Sequence, residues 1–167
     1  DTRVGPLSRH AVVQGYRRYW KLLCDSDTSP TFDPDNVDEA GYDAFVNTIR
    51  SGPALQAWEL VLELLRTVPD DDLGFWAAGP LEDLVQSRGA ELVEEIEAEA
   101  SRDARFQWAL GCIWLSHGEL SAEVLARVVR ASGDAIRPLP SHAELEAKWP
   151  DFADDPNASD DIGPEAR

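Results

Sequence analysis

FWAAGPLEDLVQSRG, residues 75–89, decides how the chain is organised. Gly79-Pro80 stands between two apolar stretches, and nothing around it supplies a nucleophile, a metal-ligand spacing or a phosphate loop. Glycine frees the backbone to turn, and proline suits the first turn of a helix, where its missing N–H has no partner to lose. The stretch is therefore expected to be a corner between two helices, with Leu81, Leu84 and Val85 inward and Gly89 closing the second helix as a left-handed cap. Glu82 and Asp83 then lie at the positive end of a helix dipole, where carboxylates are stabilising without any catalytic duty.

Upstream of the corner the apolar residues recur at spacings of three and four. Ser8 is expected to cap a first helix whose buried face carries Val12, Val13, Tyr16, Tyr19, Trp20 and Leu23. Asp25 to Asp35, with Pro30 and Pro34, reads as a loop. A second helix over 38–50 places Ala40, Phe45, Val46 and Ile49 together, weakened at Gly41 by roughly 1 kcal/mol relative to alanine. Ser51-Gly52-Pro53 reads as a cap with proline in the first turn of a third helix, whose stripe is Leu55, Trp58, Val61, Leu62 and Leu65 and which Val68-Pro69 ends. Asp70, Asp71 and Asp72 then supply negative charge at the start of a short helix reaching Ala78.

Downstream, residues 90–100 turn Leu92, Val93, Ile96 and Ala100 inward, while Glu91, Glu94, Glu95, Glu97 and Glu99 are expected on the surface. Phe106 to Ser116 is apolar almost all round and is expected to be the most central helix. Ser121 caps a last regular helix bearing Val124, Leu125, Val128 and Val129, and Gly133 ends it. The chain divides into a helical domain over 1–137 and a Pro-rich acidic tail over 138–167, where Ser141 and Glu144 form a capping-box pattern before a short helix to about Trp149. Leu145, Trp149 and Phe152 are expected to fold back onto the domain. The fold class is all-α: stacked antiparallel helix pairs, in a HEAT-like array or a compact orthogonal helical bundle.

Charge narrows the function. The chain has 167 residues and carries 15 Lys and Arg against 32 Asp and Glu, a net charge of -17 that repels a nucleic-acid backbone and favours a basic protein partner. Cys24 and Cys112 lie among apolar neighbours and are expected as small buried side chains without a disulfide. No apolar run reaches the length of a membrane span and the first residues lack the form of a signal peptide, so a cytoplasmic location is expected.

His10, His117 and His142 have none of the spacings that hold zinc, and His117 is placed to cap the last carbonyls of the 106–116 helix. Asp33-Pro34-Asp35-Asn36 begins like a calcium loop but lacks the turn glycine. Serine-hydrolase, Walker and dinucleotide motifs are absent, so no cofactor is expected. The acidic runs lie on polar faces or at helix starts, where a carboxylate is solvated and not tuned for acid–base work. Of six tryptophans, Trp20, Trp58 and Trp108 fall on inward stripes. Trp76, beside Phe75 and the Asp70–Asp72 run, is expected to be exposed and to anchor a partner.

Trp58, Asp70, Leu73, Gly74, the run Ala77-Ala78-Gly79-Pro80-Leu81-Glu82-Asp83-Leu84, Gly89, Ile96-Glu97 and Phe106 resemble, in order and spacing, a family of small uncharacterised bacterial helical domains. Its core reads A-A-G-P-L-E-D-L-L and is usually followed by a histidine-glycine pair. Here Val85 replaces the last leucine and Arg88-Gly89 stands at the pair. The resemblance covers roughly residues 38–116 and implies no activity, since the family has none assigned. By analogy of class it suggests an immunity protein that neutralises a toxin of interbacterial competition.

A non-enzymatic binding domain is therefore expected, most simply an acidic immunity-type inhibitor of a basic bacterial toxin. The expected contact face is Asp70, Asp71, Asp72, Trp76, Glu82 and Asp83, with Glu91, Glu94 and Glu95 as a second patch. The alternatives are a DNA mimic, whose carboxylates stand in for phosphates in a nucleic-acid-binding site, and an enzyme with a carboxylate site.

Overall fold

The computed structural model describes residues 7–25, 37–115 and 120–136, and every regular element among them is helical. In chain order these are α1 (Arg9–Asp25), α2 (Val37–Ser51), α3 (Ala54–Thr67), a 3-10 turn (Asp70–Asp72), α4 (Leu73–Trp76), a π turn (Ala77–Leu81), α5 (Glu82–Arg102), α6 (Ala104–Leu110) and α7 (Ala122–Ala131). The 26–36 loop with its calcium-like run, the cap at His117, and the 138–167 tail with its Ser141–Glu144 pattern lie outside the described residues.

The expected caps on α1 and α7 are present. Ser8 Oγ accepts from Ala11 N at 3.2 Å, and Ser121 Oγ from Val124 N at 3.3 Å. α7 ends in a Schellman motif: Gly133 has φ 70, Asp134 N donates to Val129 O at 3.1 Å, and Gly133 N donates to Arg130 O at 3.0 Å. Asp103, by contrast, is a cap that periodicity does not reveal, its side chain accepting from Arg105 N at 2.9 Å and Phe106 N at 3.3 Å to start α6.

The expected corner at Gly79-Pro80 is not a corner. Residues 70–102 form one nearly unbroken helical run in which Ala77–Leu81 widens into a π turn around Pro80. Proline lacks the N–H that an α turn needs and its ring crowds the carbonyl four residues back, so a wider turn relieves both problems without ending the helix. Gly79 does not have positive φ, and beyond its chain neighbours and its own helix backbone a Cβ there would meet nothing within 4 Å. Gly89 is likewise no cap: it lies inside α5, where its missing side chain makes room for Leu120, whose Cδ2 would be 3.0 Å from a Cβ.

α5 is the hub, packing against α2, α3, α6, α7 and the π turn through Leu84, Val85, Leu92, Val93, Ile96 and Ala100. A helix that touches so many non-consecutive elements belongs to a compact bundle, since in a repeat array each unit meets only its neighbours. α6, expected at the centre, has only seven residues and buries only Phe106, Ala109 and Leu110, leaving Trp108 exposed. On α3, Leu55 is exposed and the buried face is instead Ala57, Trp58, Leu60, Val61, Leu62, Leu64 and Leu65. Ser51 ends α2 and does not cap α3, whose N-cap is Pro53.

α1 and α2 form the most extensive helix pair, and glycine explains why. A Cβ on Gly41 would lie 2.8 Å from Gly15 Cα and 3.3 Å from Ala11 O, so the two helices touch backbone to backbone. Beside this crossing an aromatic cluster forms. Tyr16 stacks on Phe45 at 4.0 Å and on Tyr42 at 5.4 Å, and meets Trp76 edge-on at 5.9 Å. Burial pushes the Tyr16 hydroxyl well above the usual tyrosine range.

Candidate functional site

Asp70, Asp71 and Asp72 occupy the exposed 3-10 turn that links α3 to α4, as a run of solvated carboxylates should. Asp70 is held by Arg105, whose Nε lies 2.7 Å from Oδ1. The same guanidinium donates to Val68 O at 2.6 Å and to Leu65 O, so Arg105 binds the last carbonyls of α3 and the acidic turn at once. Asp71 and Asp72 form no ion pair with any described residue, and they are the uncompensated part of the run.

Trp76 does not stand beside these acids in solvent. It is 9% exposed, because its ring closes the aromatic cluster against Tyr16 and Phe75. Among the described residues three other aromatics are exposed: Phe75, Trp108 and Trp114, each at 56%. Trp108 lies beside Asp70, while Phe75 lies on the Asp72 side of the turn. The Trp108 ring lies over Gly74, where a Cβ would be 3.5 Å from the indole Cη2, and with Asp70, Leu73 and Arg105 it lines an open groove of about 300 Å³. On its other flank it borders a second groove of about 410 Å³ with Gln107, Gly111 and Gly133. Trp108 is thus a ridge between two hollows.

Glu82 and Asp83 part company. Glu82 Oε2 accepts from Trp114 N at 2.7 Å, while Gln86 Nε2 donates to Trp114 O at 2.9 Å, so one turn of α5 holds both backbone polar groups of residue 114. Burial pushes the Glu82 carboxyl up, the Trp114 amide pulls it down, and Asp83 adds to the rise. Glu82 therefore has a structural bond and is half-buried, whereas Asp83 is exposed and borders a groove with Ile49, Arg50 and Gln86.

The second expected patch is partly neutralised. Glu91 pairs with Arg88 at 2.9 Å, and the other end of Arg88 donates to Gly52 O, fixing the α2–α3 link. Glu97 takes Arg127 in a two-pronged bridge at 2.6 and 2.9 Å, which holds the Glu97 carboxyl below its usual range, with Glu94 close enough to raise the Arg127 pKa further. Glu94 is exposed and Glu95 half-buried. Glu99, expected on the surface, is 1% exposed and accepts from Arg66 at 2.9 Å and from Arg102. Buried carboxylates need such partners, and both arginines reach it from solvent.

Among the described residues no three His, Cys, Asp or Glu side chains come together to hold a metal. Both cysteines are free. Cys24 is exposed and not buried as expected, and burial raises the Cys112 thiol, the reverse of what a nucleophile requires. His10 meets Glu63 at 3.2 Å on the surface. Among the described residues no helix is long and apolar enough to cross a membrane.

The chain belongs to the family described as "Family of unknown function (DUF6869)", which matches residues 34–136. The match takes in α2 to α7 and leaves α1 outside it. Comparison with curated proteins and with solved structures finds no match.

Proposed function

We propose that this protein is a non-enzymatic binding domain, an acidic immunity-type inhibitor that covers the basic site of a bacterial toxin. The carrying observation is that the exposed indole of Trp108 faces Asp70, the first carboxylate of the exposed Asp70–Asp72 turn, across one groove, with Asp71 and Asp72 following on the same turn. Aromatic anchors flanked by complementary charge are what hot spots are made of, the ring supplying area and the charges steering encounter. Trp108 takes the part that the sequence assigns to Trp76.

The net charge of -17 favours a basic partner. A DNA mimic needs a long track of uncompensated carboxylates, and on α5 Glu91, Glu97 and Glu99 are each paired with arginine. That pairing favours the compact patch.

The test begins with capture of a basic protein from the source cells, followed by kinetics with both proteins purified at two salt concentrations. Asp71→Asn with Asp72→Asn should slow association and flatten its salt dependence, while Trp108→Ala should speed dissociation. Rates unchanged in both variants move the contact face elsewhere and sink this reading.

A further inference from the structure

One region of the surface has the wrong sign for that role. α1 carries Arg9, Arg17, Arg18 and Lys21 and a single acid, Asp25, in a chain otherwise dominated by carboxylates. Arg9 is paired with Glu59 at 3.1 Å, and Arg18 with Asp38 at 2.8 Å. Arg17 meets only a backbone carbonyl, Thr67 O at 3.4 Å, and Lys21 has no ion-pair partner among the described residues. These two cations therefore keep their charge unneutralised. They line a groove of about 380 Å³ between α1 and α4 together with Trp20, Phe75 and Cys24, and Asp72 is the one acid among its described lining residues. Phe75 leaves much of its ring in solvent although Trp20 lies only 6.4 Å away, so one aromatic wall of the groove is unfilled.

We infer that this groove is the docking site of the chain's own segment Asp151–Asp155, with Phe152 seated between Trp20 and Phe75 and the neighbouring carboxylates meeting Arg17 and Lys21. The composition of the segment fits. DFADD sets one aromatic among three acids, and from residue 151 to residue 166 the chain carries six acids and no base. Cations beside aromatic walls suit that pattern as they suit little else on this surface. The reach is sufficient: the fifteen residues from Ile136 to Asp151 span up to about 50 Å when extended, and a domain of this size is roughly 35 Å across. Docking covers the exposed ring of Phe75 and neutralises the basic stripe, leaving the acidic turn and Trp108 as the free face.

Lysine is scarce enough to make the test specific, since the chain has only Lys21 and Lys148. Zero-length carbodiimide coupling of the dilute full-length protein, followed by mass-spectrometric mapping of the monomer, should join Lys21 to Asp151, Asp154 or Asp155. The yield should fall at least several-fold in Phe152→Ala, and also at high salt. In parallel, Cys24 should react with a maleimide several-fold faster in a variant carrying Phe152→Ala and the three Asp→Asn changes than in the parent chain. Lys21 joined only to Asp72, or left uncoupled, overturns the inference, as do equal Cys24 rates. A Lys21–tail link confined to the dimer band overturns it as well, because the segment then docks on a second copy. No toxin enters this experiment, so its failure leaves the inhibitor reading standing.

Discussion

Gly41→Ala puts the α1–α2 crossing to the test through the sign of its effect. By propensity alone the change strengthens a helix interior by about 0.8–1 kcal/mol. The structure opposes this. The new Cβ would stand 2.8 Å from Gly15 Cα and 3.3 Å from Ala11 O, both of them backbone atoms that no rotamer change can move aside. Carbon atoms sit comfortably at about 3.5–4.0 Å, so the helices must separate by roughly an ångström along their most extensive interface. Overpacking of that kind costs typically about 1–3 kcal/mol, and it would also loosen the stack of Tyr16 on Phe45. Overpacking exceeds propensity over most of this range, for a net loss of up to about 2 kcal/mol. For a chain of this length that lowers the melting temperature by several degrees, at roughly 2–4 °C per kcal/mol. Thermal unfolding followed by far-ultraviolet circular dichroism decides it, with near-ultraviolet ellipticity reporting on the aromatic cluster. A variant that melts higher than the parent, with the aromatic signal intact, refutes the close crossing.

Gly79→Ala should also lower the melting temperature: beyond its chain neighbours the new Cβ meets nothing within 4 Å, but Pro80 follows directly, and its ring drives a preceding residue that carries a Cβ out of the helical region; a clear rise would contradict that account. Trp58→Ala removes a buried ring that meets Phe106 edge-on at 5.4 Å and should cost about 3–5 kcal/mol, so a shift of only a degree or two in thermal melting would contradict its burial. Two carboxylates on α5 should respond to pH with opposite signs. Glu97, held low first by its hydrogen bond to Arg127, contributes stability present above the ordinary glutamate range and lost as pH falls through its folded value. Glu82, raised chiefly by burial, weakens the fold once ionised, and that penalty disappears as pH falls through its folded value toward the ordinary one. Melting curves across the acid range should accordingly show that Glu97→Gln removes a stabilising contribution at neutral pH, while Glu82→Gln removes a destabilising one; matching slopes in the two variants would contradict the assignment.

What the sequence revealed was local. The faces of α1 and α7, the caps at Ser8 and Ser121 and the glycine stop at Gly133 depend on residues within a turn or two, and all are present. What it hid depends on partners distant along the chain. Gly79-Pro80 carries signals that serve equally for a break or for a widened turn, and the choice falls to the π turn because the helix continues into α5, whose packing against four other helices outweighs one lost N–H bond. Gly41 and Gly89 read as a weakness and a stop, whereas each is a place where something else comes close: Gly15, on α1, cannot be inferred from residues 38–50, nor Leu120 from residues 82–89.

The same limit governs the candidate site. Charge is a property of the residue, so the Asp70–Asp72 run is legible as an exposed acidic patch. Exposure of an aromatic is a property of its surroundings. Trp76 is buried by Tyr16, far back in the chain, and Trp108 is exposed because α6 has only seven residues between Asp103 and Gly111. An all-round apolar pattern means a central helix when the helix is long enough to be surrounded; in a short one at the surface, the face turned away from the core keeps its apolar residues in solvent. A single exposed ring is ordinary on a protein surface, so it is the dissociation rate of Trp108→Ala, and not the exposure itself, that tests the proposed contact.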